Sequence, residues 1–93
     1  MIRLSGTLTC LTPEDIVLVE AHLPDHLRLT RAEPGCLSFD VTPRPDAPQI
    51  YEVTELFRDA AAFEAHQART RASDWFRATE HLPRDFTRTE VEG

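Results

Sequence analysis

Glu55 and His66 are the pair of side chains in this 93-residue chain best suited by type and position to move a proton. Glu55 alternates with Tyr51, Val53 and Phe57, so a strand through this segment puts all four on one face. His66 follows Ala62 and Phe63 at four- and three-residue spacing, so a helix turns it to the same apolar side as those two. A neighbouring carboxylate can orient an imidazole, fix its tautomer and raise its pKa, which equips the ring to take or give a proton near neutral pH. Two such groups aimed at an apolar interior are either a self-satisfied structural pair or the floor of a pocket. Trp75, Tyr51, Phe39 and Phe63 are candidate walls for a flat ligand, although for any one of them except Trp75 a place in the core is the better reading. Trp75 stands apart because it opens a short helix and its indole N–H needs a partner.

The remaining chemistry-bearing residues read more plainly. His22 and His26 lie four apart, a metal-ligand spacing on a regular helix, but Pro24 falls between them and no third ligand is near. They are expected to be solvated or half-buried, and no metal site is expected. His81 sits at a helix end, where a cation complements the dipole. Arg69, Arg71 and Arg77 follow a helix end and suit either an acidic ligand or a solvated face. Cys10 and Cys36 show neither CxxC nor metal spacing, which favours buried free thiols over a disulfide. No phosphate loop, GxGxxG or GxSxG occurs, and nothing resembles a site for nicotinamide, flavin, attached haem or ATP.

The elements that position these residues follow from periodicity. Residues 2–10 alternate, with Ile2, Leu4, Leu8 and Cys10 on one face, and predict a half-buried strand. Thr12-Pro13-Glu14-Asp15 is a helix start: a capping hydroxyl, a proline at the first helical position and acids in the first turn. Ile16, Val19, Leu23, Leu27 and Thr30 continue that helix. Pro24 removes a bond to the Glu20 carbonyl and predicts a kink or break near residues 21–24. Glu33-Pro34-Gly35 ends the helix. Residues 36–42 and 49–57 predict a hairpin across the proline-rich turn 43–48, with Leu37, Phe39 and Val41 on one face of its first strand. Helices are expected over about 59–71 and from a Ser73 cap to about His81, then a strand over 84–92.

The order is βαββαβ, and two right-handed crossovers give an α+β, ferredoxin-like fold: a four-stranded antiparallel sheet with helices on one face. The other face, with Ile50, Glu52, Thr54 and Leu56, has no helix to cover it. Packing it against a second copy predicts a homodimer.

Length fits one domain, residues 1–93. A chain this short buries only about 60–65% of its unfolded surface, so a partner adds much to its stability. The net charge of −6 opposes nonspecific nucleic-acid binding and attraction to an anionic membrane. The first residues lack the apolar core of a signal peptide, and no apolar run approaches the roughly 18–20 residues that span a bilayer. A cytoplasmic protein is expected.

Three segments together carry a family likeness: Thr30-Arg31-Ala32-Glu33-Pro34-Gly35-Cys36-Leu37-Ser38-Phe39, Tyr51 through Asp59, and Ala62-Phe63-Glu64-Ala65-His66-Gln67. In order and spacing the chain resembles the antibiotic biosynthesis monooxygenase domain family over nearly its whole length. The resemblance implies a dimeric α+β barrel. It also implies oxidation of quinols or polyketide phenols by dioxygen without a bound cofactor, although similar proteins degrade haem or isomerise small phosphorylated sugars. On this likeness the partners are a small aromatic substrate and dioxygen, the catalytic residues are His66 and Glu55, and Trp75, Tyr51, Phe39 and Phe63 are pocket walls. The chain has no Asn, which both the haem-degrading and the polyketide branches use. A non-catalytic ligand-binding module and an oxygen-independent isomerase or cyclase are the alternatives on the same fold.

Overall fold

Thr12 opens the long first helix in the way its type allows. Its hydroxyl accepts the Asp15 N–H at 3.2 Å, and the Asp15 carboxylate accepts the Thr12 N–H at 3.0 Å. In the computed structural model, which describes residues 1–92, the elements run β1 (Ile2–Thr9), α1 (Pro13–Arg31), β2 (Cys36–Pro43), β3 (Ile50–Phe57), α2 (Ala60–Arg71), α3 (Asp74–Thr79) and β4 (Arg84–Glu90). Asp59 caps α2 by accepting the Ala62 N–H at 2.8 Å, and Ser73 caps α3 by accepting the Phe76 N–H at 3.2 Å.

The strands form one antiparallel sheet in the order β2-β3-β1-β4, with β1 and β3 central. This is the ferredoxin-like α+β arrangement the element order predicts. β1 approaches β4 closely at Gly6, where a Cβ would lie 1.9 Å from the Asp85 carbonyl oxygen, so no side chain fits there. The core lies between sheet and helices. One cluster joins Leu8, Cys10, Val19, Leu23, Val41, Tyr51 and Val53; a smaller one joins Ile2, Leu4, Phe57, Ala62 and Phe63.

Two expectations need correction. The break near residues 21–24 does not occur: α1 is helical across Pro24 through Arg31. Val19, Leu23, His26 and Thr30 make a continuous buried stripe, and tertiary packing outweighs the roughly 3 kcal/mol that an interior proline costs. Leu37 does not share the inner face with Phe39 and Val41. A β-bulge between Cys36 and Ser38 turns it outward, where it is 53% exposed. Cys10 and Cys36 are free thiols, the first buried and the second half-buried. Among the described residues no helix is long and apolar enough to cross a membrane.

Candidate functional site

Glu55 enters the site from the inner face of β3, between buried Val53 and buried Phe57. His66 enters from α2, one turn beyond Ala62 and Phe63. The two meet: His66 Nε2 lies 3.5 Å from Glu55 Oε1, with the side chains 2% and 6% exposed. That distance is just beyond hydrogen-bond reach, and Glu55 Oε1 has no hydrogen-bond partner.

The carboxylate that holds the imidazole is a different one. Glu33 Oε1 lies 2.8 Å from His66 Nδ1. Glu33 is itself held by the Arg69 guanidinium, which also donates to Thr30 Oγ1 at 2.8 Å. A carboxylate only accepts, so neutral His66 carries its proton on Nδ1 and turns the Nε2 lone pair toward Glu55. The Thr70 hydroxyl is 3.4 Å from Nε2. The backbone makes this junction possible at Gly35. With φ at +88° and no Cβ, the turn after α1 presses on α2, where an added Cβ would come within 2.6 Å of the Ala62 Cβ.

In the sequence Glu33 reads only as part of a helix stop. The signal for it was present: Val19, Leu23, His26, Thr30 and Glu33 continue at four- and three-residue spacing along the buried stripe of α1. His26 sits on the same stripe and was expected to be solvated or half-buried; it is buried. Its ring stacks on Trp75 with centroids 4.8 Å apart and planes 5° apart. Its Nδ1 has no partner. Among the described residues no group of three or more His, Cys, Asp or Glu is placed to hold a metal. His81, expected to complement a helix C-terminus, instead reaches Asp15 Oδ1 at 2.8 Å, and that bond holds the Asp15 carboxyl below its usual range.

A cavity of about 280 Å³ opens between sheet and helices beside this cluster, at the small end of ligand pockets. Glu55, His66, His26, Trp75 and Phe39 line it, together with Leu4, Leu8, Val41, Val53 and Phe86. Two of the expected walls lie elsewhere. Tyr51 points to α1 and donates to Glu20 Oε2 at 2.7 Å, and Phe63 packs edge-on against Phe57 with centroids 5.8 Å apart.

Burial sets the charge states. It raises the Glu55 pKa to about 7, helped by the negative charge of Glu33. Burial lowers that of His66, opposed by Glu33. It drops that of His26 to about 3, with Arg69, His66 and Arg84 adding. Near neutrality the cluster thus holds two neutral imidazoles and a carboxyl poised between its forms. Such a carboxyl, with an imidazole lone pair behind it and an apolar chamber in front, can exchange a proton with a bound ligand.

Sheet order, helical layer and chamber define a class: small α+β ferredoxin-like proteins that enclose a ligand-sized cavity between sheet and helices. The family model for antibiotic biosynthesis monooxygenase matches residues 1–78, and the chain belongs to that family. Solved structures share the fold across nearly its whole length. A Deinococcus radiodurans protein given the same family name is 24% identical with a TM-score of 0.82, covering 100% of this chain and 94% of its own. PA3566 from Pseudomonas aeruginosa is 24% identical with a TM-score of 0.77, covering 99% and 94%. SnoaB from Streptomyces nogalater, a cofactor-independent oxygenase, is 13% identical with a TM-score of 0.80, covering 99% and 93%. A comparison with curated proteins gives no match.

Proposed function

We propose that this protein is a cofactor-independent monooxygenase that oxidises a small quinol-like or phenolic compound with dioxygen. The observation that carries the reading is Glu55 Oε1: buried, without a partner, on the wall of an apolar cavity and 3.5 Å from His66 Nε2. Family membership and the fold shared with SnoaB support it.

The reaction needs no outside reductant. A hydroquinone and dioxygen give a hydroxyquinone and water; an anthrone and dioxygen give an anthraquinone and water. In each case the substrate supplies all the electrons. Glu55 takes the acidic proton, and the resulting anion passes electrons to dioxygen. His66, through Nε2, shares the proton with Glu55. Glu33 and Arg69 keep the ring in the required tautomer. The proton returns to the oxygen that leaves as water. A carboxyl with a pKa near 7 suits both halves of that cycle at neutral pH. The apolar walls keep water from quenching the anion.

Oxygen uptake with anthrone or a naphthohydroquinone should exceed the uncatalysed rate. His66→Ala should lower it by roughly 10²-fold, the scale of a lost acid–base group, with an unchanged circular dichroism spectrum. Full activity in that variant rules the mechanism out. Turnover that persists under nitrogen points instead to an isomerase or cyclase.

A further inference from the structure

The same cavity has a second polar end that proton transfer does not use. Arg71 on α2 and Arg84 on β4 both line it. All ten basic residues are arginines in a chain with sixteen acids, and six of them lie within 4 Å of a carboxylate: Arg28, Arg31, Arg44, Arg58, Arg69 and Arg77. Among the described residues the other four, Arg3, Arg71, Arg84 and Arg88, have no such partner, and of these Arg71 and Arg84 are the two that line the cavity.

Arg84 is half-buried and rigid. Its Nη1 donates to the carbonyls of Thr79 at 2.7 Å and Leu82 at 3.2 Å, and its Nη2 to Thr79 Oγ1 at 2.6 Å. These neutral acceptors fix the fork but leave its charge uncompensated, and two of its five N–H donors stay free. Burial lowers its pKa, the mark of a cation short of a counter-charge. Exposed Arg71 adds a second cation at the rim. His26 Nδ1, buried in the cavity wall, is a third unmatched polar atom.

We propose that the ligand of this cavity is a hydroxylated aromatic carboxylate, its carboxylate bound by Arg84 and Arg71 and its hydroxyl directed toward Glu55. Sheet register sets the spacing. Glu55 stands opposite Leu4, and Arg84 opposite Leu8 on the far side of β1. Two strand separations across and four residues along place the two Cα atoms about 16 Å apart. Once both side chains extend inward, the remaining span suits one or two fused rings. Bidentate capture of a planar carboxylate is what an arginine fork does best.

The inference rests on this cavity being the substrate site, but its test needs no turnover. Calorimetric titration should show 6-hydroxy-2-naphthoate, whose two groups sit at opposite ends of the fused rings, binding at least about tenfold more tightly than 2-naphthol, the matched compound without the carboxylate, as expected for a charge-assisted pair. Arg71→Gln and Arg84→Gln should each erase most of that difference, by weakening the acid far more than 2-naphthol. Arg84 also caps α3, so Arg71→Gln, at an exposed position, is decisive if Arg84→Gln does not fold. Equal binding of the two compounds, no binding of either, or a preference that survives Arg71→Gln overturns the inference. Absent oxygen uptake with the acid preference intact removes only the catalytic reading.

Discussion

Glu55 holds a proton at a pH where an exposed glutamate has lost it, because its ionised form would sit in an apolar wall beside the charge of Glu33. The sign of the consequence follows from linkage. The folded state binds more protons than the unfolded state between the ordinary glutamate value and about 7, so this residue's contribution falls as pH rises through that window. Above it, the ionised group costs up to about 3 kcal/mol. Lowered His66 and His26 act in the opposite direction, since their charging destabilises the fold as pH drops below the usual histidine value. Comparing Glu55→Gln with the parent isolates the carboxyl. The variant should melt at a higher temperature at pH 8, the gap should close toward pH 5, and oxygen uptake should fall at every pH. Scanning calorimetry at several pH values reads the first two effects. A gap independent of pH would mean that Glu55 is ionised throughout.

At the scale of elements, the α1–β2 turn decides whether the cluster assembles. Among the described residues Gly35 alone has a positive φ, and its missing Cβ lets the turn touch Ala62, which brings Glu33 under His66. Gly35→Ala forces both a left-handed alanine and a clash, and should cost about 1–3 kcal/mol in urea unfolding. The expected signature beyond stability is a His66 ring released from Glu33, visible as a changed imidazole shift in NMR titration. An alanine variant with unaltered stability and titration would show that the turn does not set the cluster. The same turn marks the limit of what sequence makes legible. Period-two and period-3.6 patterns give every strand and helix, and they put Glu55 and His66 on facing surfaces. They do not say which of two carboxylates the imidazole meets, because Glu33 lies past the last helical turn and arrives there through a glycine conformation. Tyr51 illustrates the other limit. Its alternation with Glu55 is correct, but the two diverge by four residues along β3, far enough for Tyr51 to meet Glu20 on α1 instead of the cavity. Leu37 misled for a third reason, since a bulge shifts the alternation by one and leaves no mark in composition.

The whole molecule is a slab, 38 × 26 × 18 Å, its thin dimension the depth of one sheet and one helical layer. The cavity lies within this slab, but the far side of the sheet is bare. Ser5, Thr7 and Thr9 of β1 meet Thr54 and Ile50 of β3 there, all neutral; of the charges around them Glu52 pairs with Arg44 at 3.0 Å and Asp40 with Arg31 at 3.1 Å, while Arg3 and Asp85 sit on the same face in no ion pair among the described residues. A neutral, small-residue centre framed by charged residues is the composition of an interface core with its rim. A second sheet laid across it would bury Ile50 and Leu56, which a single chain leaves half-exposed. Light scattering should therefore give about twice the 10.6 kDa chain mass at micromolar concentration. The melting temperature should rise with protein concentration, as mass action requires of a folded dimer. Ser5→Glu with Thr54→Glu puts like charges on opposed residues of each sheet and against their copies, and should shift the population to monomer. Because no residue of the cavity lies on that face, the monomer should keep ligand binding at reduced stability. A parent protein that scatters as a monomer, with a melting temperature independent of concentration, leaves the bare sheet as a solvated surface.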